Sequence, residues 1–216
     1  MKKALIFSIV VTMLMFIASA IIYPHLPEII PTHWNAMGVV DGYGGKISIF
    51  IFPAISLFMI LLLYFLPKFD PKGHNIKNSG KVYPLIMVAL VCLMAIISFM
   101  VTATSFGMEM PMNTIMPASV GIFILLMSNY MPKVKPNYSF GIRLPWTLAN
   151  ETVWTKTHRF SSKIFFVVGL AFIAGIFIPA PINILLPSGA LFVGLGVISV
   201  YAYLEYKKIA RNEKTS

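Results

Sequence analysis

The chain has 216 residues, of which 58% are hydrophobic and only 11% charged, and its mean hydropathy is +0.83. A soluble domain carries about 25% charged residues, so this composition excludes a soluble globule and indicates an integral membrane protein. The net charge of +10 does not point to direct nucleic acid binding, because the basic residues sit in short loops between apolar runs, where they orient spans.

A membrane-crossing helix needs roughly 17–25 mostly apolar residues. Six runs meet or approach that length: 4–23, 47–66, 84–106, 114–131, 163–179 and 184–204. The first follows Lys2 and Lys3 and passes Ala18-Ser19-Ala20, a pattern that a cleavable secretory signal would also show. Its apolar run continues through Ile21 and Ile22 to Tyr23, long enough to span, so a retained helix is expected.

Loop 24–46 comes next. Prolines at 24, 27 and 31 exclude a continuous helix. Thr32 to Asn35 can form a short strand, with Gly38 and Asp41-Gly42 as turns, giving a small ordered cap. Trp34 and Tyr43 suit the headgroup zone. His25 and His33, with Glu28 or Asp41, invite a metal reading. Zinc sites use three or four convergent ligands at characteristic spacings, and two histidines eight apart across prolines do not supply them, so no metal and no cofactor are expected. The loop also has no recognisable nucleophile elbow.

In the second run Pro53 is expected to kink the helix. A basic loop, 67–83, leads to the third run. There Cys92 is an apolar residue rather than a reactive one, and a lone cysteine cannot form a disulfide within the chain. Pro84 and Pro117 fall near the first turns of their helices, where a missing N–H costs little.

The longest polar stretch is 137–163. Pro145 suits an extended or turn entry. Asn150 is a plausible N-cap, with Glu151 in the first turn against the helix's positive end. Helix from Glu151 onward completes the fifth span, whose apolar core from Ile164 to Ile178 is otherwise short. Lys156, Arg159 and Lys163 then share one face, where they touch lipid phosphates. Trp154 stacks toward His158. Arg143, Trp146, Trp154 and Arg159 are costly choices for a mere connector. The last two spans carry Ala171 with Gly175 and Ala190 with Gly194, a small-residue spacing that predicts a tight hairpin across Pro179-Ala180-Pro181.

Charge sets the expected orientation. Of the 17 basic residues, only Lys46 falls in loop 24–46 or the two short turns. Lys2, Lys3, Lys68, Lys72, Lys77, Lys81, Lys133, Lys135, Arg143, Lys156, Arg159, Lys163, Lys207, Lys208, Arg211 and Lys214 all fall on the other side. This bias puts both termini in the cytoplasm. No span has a charged residue or histidine near its middle, which argues against an ion-coupled carrier.

The order Gly141-Ile142-Arg143-Leu144-Pro145-Trp146-Thr147-Leu148, then Glu151-Thr152-Val153-Trp154 and Thr157-His158-Arg159-Phe160, resembles the signature of the SdpI immunity-protein family. Members of that family commonly have Thr where Leu144 stands, and often Asn or His where His158 stands. Leu26-Pro27, Ile30-Pro31-Thr32-His33-Trp34-Asn35, Gly38 and Asp41-Gly42-Tyr43-Gly44-Gly45-Lys46 are similar to the DUF1648 segment that often precedes it. The resemblance covers nearly the whole chain.

It implies an all-α integral membrane protein of the Gram-positive plasma membrane. Six transmembrane helices are expected, with N and C termini cytoplasmic and a small ordered extracytoplasmic loop after helix 1. The expected division is 1–66, 67–131 and 132–216. The implied role is immunity to a secreted toxin peptide, coupled in the best-known member to capture of an ArsR-type repressor at the membrane. No catalytic residue is implied. The residues expected to face toxin are Pro31, His33, Trp34, Asn35, Gly38, Asp41, Gly42 and Tyr43. Those expected to form the inner motif and meet a partner are Gly141, Arg143, Pro145, Trp146, Thr147, Glu151, Trp154, Thr157, His158 and Arg159. A rival reading is a membrane-embedded enzyme or carrier acting on lipid or peptide at the outer face through His25, His33 and Asp41.

Overall fold

A computed structural model describes residues 1–213; Lys214, counted above with the basic tail, lies outside the described residues. The chain runs α1 (Lys2–Ile22), β1 (Ile29–Trp34), β2 (Val40–Gly45), α2 (Ile51–Phe69), α3 (Gly73–Lys77), α4 (Val82–Ser105), α5 (Met112–Tyr130), α6 (Pro145–Ala149), α7 (Glu151–Ala174) and α8 (Ile182–Glu213). Six of these helices, α1, α2, α4, α5, α7 and α8, are long and apolar enough to cross a membrane. Helix α7 begins at Glu151, as the short apolar core of the fifth run required. Helix α8 has 32 residues, or about 48 Å of rise, well beyond a hydrocarbon core of roughly 30 Å. It therefore projects past the membrane at its C-terminal end, carrying Lys207, Lys208 and Arg211.

The helices pack as two groups of three, α1–α2–α4 and α5–α7–α8, which meet where α4 lies against α5. In the first group α1 buries Ser8, Thr12, Met15 and Ser19, a stripe that recurs every three or four residues. Small side chains let helix backbones approach where no hydrophobic effect separates protein from lipid. Thr12 and Ser56 share a buried 2.6 Å hydrogen bond between α1 and α2.

In the second group α5 and α7 approach closely. A Cβ at Gly121 would stand 2.9 Å from the Phe172 Cβ, and one at Gly169 would stand 2.7 Å from the Leu125 Cγ. Helices α7 and α8 pack as the small-residue hairpin expected from sequence. Gly194 of α8 seats Ile164 of α7, and Gly175 at the end of α7 faces the backbone of Asn183 in the first turn of α8, while Ala190 is exposed. A stack of Phe160 on Tyr201, centroids 4.2 Å apart, and an ion pair of Lys156 with Glu205 at 2.6 Å also join α7 to α8.

Prolines within helices leave carbonyls without their usual N–H partner, and other helices fill two of them. Pro67 frees the Leu63 carbonyl, which accepts from the Tyr83 hydroxyl of α4. Pro117 frees the Asn113 carbonyl, which accepts from the Asn183 side chain at the start of α8. In an apolar interior an unmet carbonyl is costly, so each bond fixes how two helices sit. Pro53 lies in the first turn of α2, where its missing N–H costs little. The change in helix type comes before it, at the 3-10 segment Lys46–Phe50, not as a mid-span kink.

Candidate functional site

The residues singled out from sequence fall at opposite ends of the bundle. At one end β1 and β2 form an antiparallel hairpin, longer than the short strand expected at Thr32–Asn35. Ile30 lies opposite Gly44, Pro31 opposite Tyr43, His33 opposite Gly42 and Trp34 opposite Val40, with the register slipping on either side of His33. Asn35 builds the tip. Its side-chain carbonyl accepts from the N–H groups of Met37 at 2.9 Å and Val39 at 3.1 Å. Gly38, at φ +79°, rests against Asn113 at the start of α5.

The hairpin is anchored by a core of Leu26, Ile30, Ile49 and Val101, and Trp34 packs against that core. Trp34 is thus half-buried, its ring adding apolar area to that core. Tyr43 is 65% exposed. His33 Nδ1 and Asp41 Oδ1 lie 2.5 Å apart on the exposed face, and Lys46 pairs with Glu28 at 2.8 Å. His25, on the turn after α1, makes no hydrogen bond to the His33–Asp41 pair. Among the described residues no group of three or more His, Cys, Asp or Glu could hold a metal ion. Beneath the hairpin lies a cavity of about 330 Å³, with Thr32, Trp34 and Asn35 on one wall and Ile97, Met112 and Met116 on the other.

At the opposite end the segment 132–150 folds onto the first turns of α7. Asn150 caps α7 by accepting from Thr152 and Val153 N–H groups at 2.9 and 3.1 Å. Trp154 and His158, one turn apart, stack with centroids 4.2 Å apart. Trp154 donates its indole N–H to the Val134 carbonyl at 2.8 Å. His158 is fully buried. Its Nδ1 lies 2.9 Å from the Trp154 carbonyl, and its Nε2 accepts from the Ile142 N–H at 3.1 Å. A ring that donates through one nitrogen and accepts through the other is neutral.

Gly141 crosses directly over this ring at φ +108°, and a Cβ there would stand 2.6 Å from His158 Nε2. Thr147 closes the turn before α6, accepting from the Leu144 N–H at 2.9 Å and donating to the Ile142 carbonyl at 2.8 Å. Trp146 meets Tyr203 of α8 edge-on at 5.5 Å.

The inner motif therefore splits. Thr147, Trp154, Thr157 and His158 form a closed interior, and the exposed Gly141 covers it from outside. Arg143, Pro145, Glu151 and Arg159 lie on the surface. Arg143 reaches back to the Tyr138 carbonyl at 2.7 Å, and Glu151 pairs with Lys72 at 3.0 Å. Lys156, read from sequence as a lipid contact alongside Lys163, turns instead to Glu205. A carboxylate on the adjacent helix is a stronger fixed partner than a mobile phosphate.

Sequence reasoning missed the residues that hold this end together. Asp70, almost buried, accepts from the Lys72 N–H at 2.7 Å through one carboxylate oxygen and from the Tyr138 N–H at 2.9 Å and the Ser139 hydroxyl through the other. Asn75 donates to the Pro136 carbonyl at 2.7 Å. Asn137 accepts from Ser139 and Phe140 N–H groups, each at 2.8 Å. These bonds bolt loop 67–83 to the motif. One signal was available: Asp70 is the sole acidic residue in an otherwise basic loop.

The model of the SdpI/YfhL protein family matches residues 133–206, and that of the domain of unknown function DUF1648 matches residues 10–57. "Immunity protein SdpI" of Bacillus subtilis (strain 168) is 32% identical over 212 residues, covering 97% of this chain and 98% of that protein. No solved structure matches the chain.

Proposed function

The chain belongs to the SdpI/YfhL protein family as a multi-pass protein of the plasma membrane, and from that premise we propose that it protects its host cell against a secreted, membrane-active toxin peptide. The observation that carries the reading is similarity to an immunity protein along nearly the entire length of both chains. Such a role needs no reaction at the His33–Asp41 pair, and an immunity family is not an enzyme family.

Three finer points belong to the proposal. The hairpin end faces outward, where a toxin arrives, and the basic end faces the cytoplasm, a reading supported by the distribution of lysine and arginine. The hairpin and the cavity beneath it engage the toxin, with Pro31, His33, Asn35, Gly38, Asp41, Gly42 and Tyr43 around Trp34. The surface residues of the motif, Arg143, Glu151 and Arg159, are available to a cytoplasmic partner such as an ArsR-type repressor, while the buried ones shape the surface that presents them. In the proposed division, 1–66 is the outward-facing unit and 132–216 the inward-facing one, joined by 67–131.

Expression in a toxin-sensitive Gram-positive strain tests the function, with survival and membrane potential read under toxin. The wild type should preserve both. Tyr43→Ala removes an exposed ring with little cost to the fold, and it should weaken protection while leaving partner capture intact. Arg143→Ala should do the reverse. If the two variants, at equal abundance, lose both activities in proportion, the two-sided reading is wrong.

Orientation has its own test. In a Cys92→Ala background, a cysteine at Ala36 should react with an impermeant maleimide in intact cells. A cysteine at Lys135, which is exposed at the other end, should react only after permeabilisation. The reverse pattern would invert the assignment of both sites.

A further inference from the structure

Between α1 and α2 runs an apolar groove of about 520 Å³, lined on one side by Leu5, Ile9 and Phe16 and on the other by Leu57, Tyr64 and Phe65. It opens sideways, toward lipid, between two helices that each cross the membrane. From Leu5 to Phe16 it covers eleven helical steps of α1, or about 16 Å. That is close to half of a hydrocarbon core of roughly 30 Å, so the groove has the depth of a single leaflet. Its floor is closed by the Thr12–Ser56 hydrogen bond, leaving almost no polar atom exposed along its walls.

The groove has a basic mouth at one end only. Lys2 precedes Leu5 by three residues and Ile9 by seven, so it continues the groove-lining ridge of α1 one turn beyond the apolar part. Lys68 follows Tyr64 by four and Phe65 by three, and does the same for α2, which runs antiparallel. The structure places the Lys68 ammonium 4.4 Å from the Tyr64 ring centroid and 4.8 Å from that of Phe65, directly over the end of the groove. Both lysines are exposed, and neither has a carboxylate partner among the described residues. An apolar slot one leaflet deep with two unpaired cations at its headgroup level matches one kind of molecule in a membrane. We infer that the α1–α2 groove is a binding site for an anionic phospholipid, with an acyl chain in the slot and the phosphate between Lys2 and Lys68. Basic pockets between transmembrane helices hold such headgroups in other membrane proteins. A bound lipid here would brace α1 against α2, the pair that carries the hairpin on its far end.

The test uses the full chain reconstituted in phosphatidylcholine vesicles, with spin-labelled phosphatidylglycerol or spin-labelled phosphatidylcholine as the probe. The wild type should associate with the phosphatidylglycerol probe in preference to the phosphatidylcholine probe. Lys2→Gln and Lys68→Gln should each reduce that preference roughly fivefold. Lys207→Gln with Lys208→Gln, at the same end but on α8, should leave it unchanged. Ile9→Trp with Leu57→Trp, which fills the slot and keeps both lysines, should reduce it as well. An equal loss from the α8 pair would show diffuse surface attraction and overturn the site. No preference in the wild type would overturn it too, and so would a change of oligomeric size on filling the slot with no change in lipid preference, since the occupant would then be a second copy of the chain.

Discussion

Replacing Gly141 by alanine should destabilise the detergent-solubilised protein by about 2–5 kcal/mol, from backbone strain of about 1–3 kcal/mol and overpacking of similar size. Two independent costs meet at this residue. Its φ of +108° is open to glycine and strained for any residue with a Cβ. The added carbon would also stand 2.6 Å from His158 Nε2 and 3.2 Å from the Trp154 ring. Neither neighbour can move away. His158 is held through both ring nitrogens, and Trp154 through its indole N–H. Relief would have to come from lifting residues 140–142 off α7, which strips the Ile142 N–H of its buried acceptor. Thermal unfolding in detergent and abundance in the membrane both report the loss. Gly45→Ala is the control: nothing lies within 4 Å of a Cβ there and its φ is not positive. Equal stability of the two variants would show that the Gly141 crossing does not organise the motif.

The second large effect is expected at Asp70. Asp70→Ala should cost about 3–5 kcal/mol, as when one partner of a buried charged network is removed. It leaves the Lys72 and Tyr138 N–H groups and the Ser139 hydroxyl without their acceptor, and hydrogen bonds to a charged group are worth roughly 1.5–3 kcal/mol each. Asp70→Asn should cost less but not be neutral. Both carboxylate oxygens accept bonds, and an amide must turn its NH2 toward one set of donors. Lys72→Ala, by contrast, removes an exposed pair with Glu151 and should change stability by less than about 1 kcal/mol. Limited proteolysis checks this directly, since Asp70→Ala should open cleavage within 67–83 and 132–143 under conditions where the wild type and Lys72→Ala stay intact. Protection that persists in Asp70→Ala at wild-type abundance would show that the basic end is not needed for immunity.

Much of this protein was legible in the order of its residues. Six apolar runs and the near-absence of charge within them dictate membrane-crossing helices, because a backbone in lipid must satisfy its own hydrogen bonds. Asn150 and Glu151 marked the start of α7, and the asymmetry of lysine and arginine divided the loops into two sets. The Trp154–His158 stack followed from helical geometry alone, since residues four apart share a face. Those features are local, set by a few neighbouring residues and the medium around them.

The rest depended on elements far apart in the chain. Nothing near Pro117 or Pro67 indicates that Asn183 and Tyr83 will fill the carbonyls they free. Gly175 and Gly194 marked the α7–α8 pair, but nothing around Gly121 and Gly169 indicated that α5 and α7 would approach closely as well. Asp70 looked like one charge in a basic loop until the fold brought Tyr138 and Ser139 against it. In each case the sequence determined that a group was small, or polar, or lacked a hydrogen. Only the tertiary structure decided what met it, because helix pairing in lipid is chosen by close packing and by the few polar groups that must find partners.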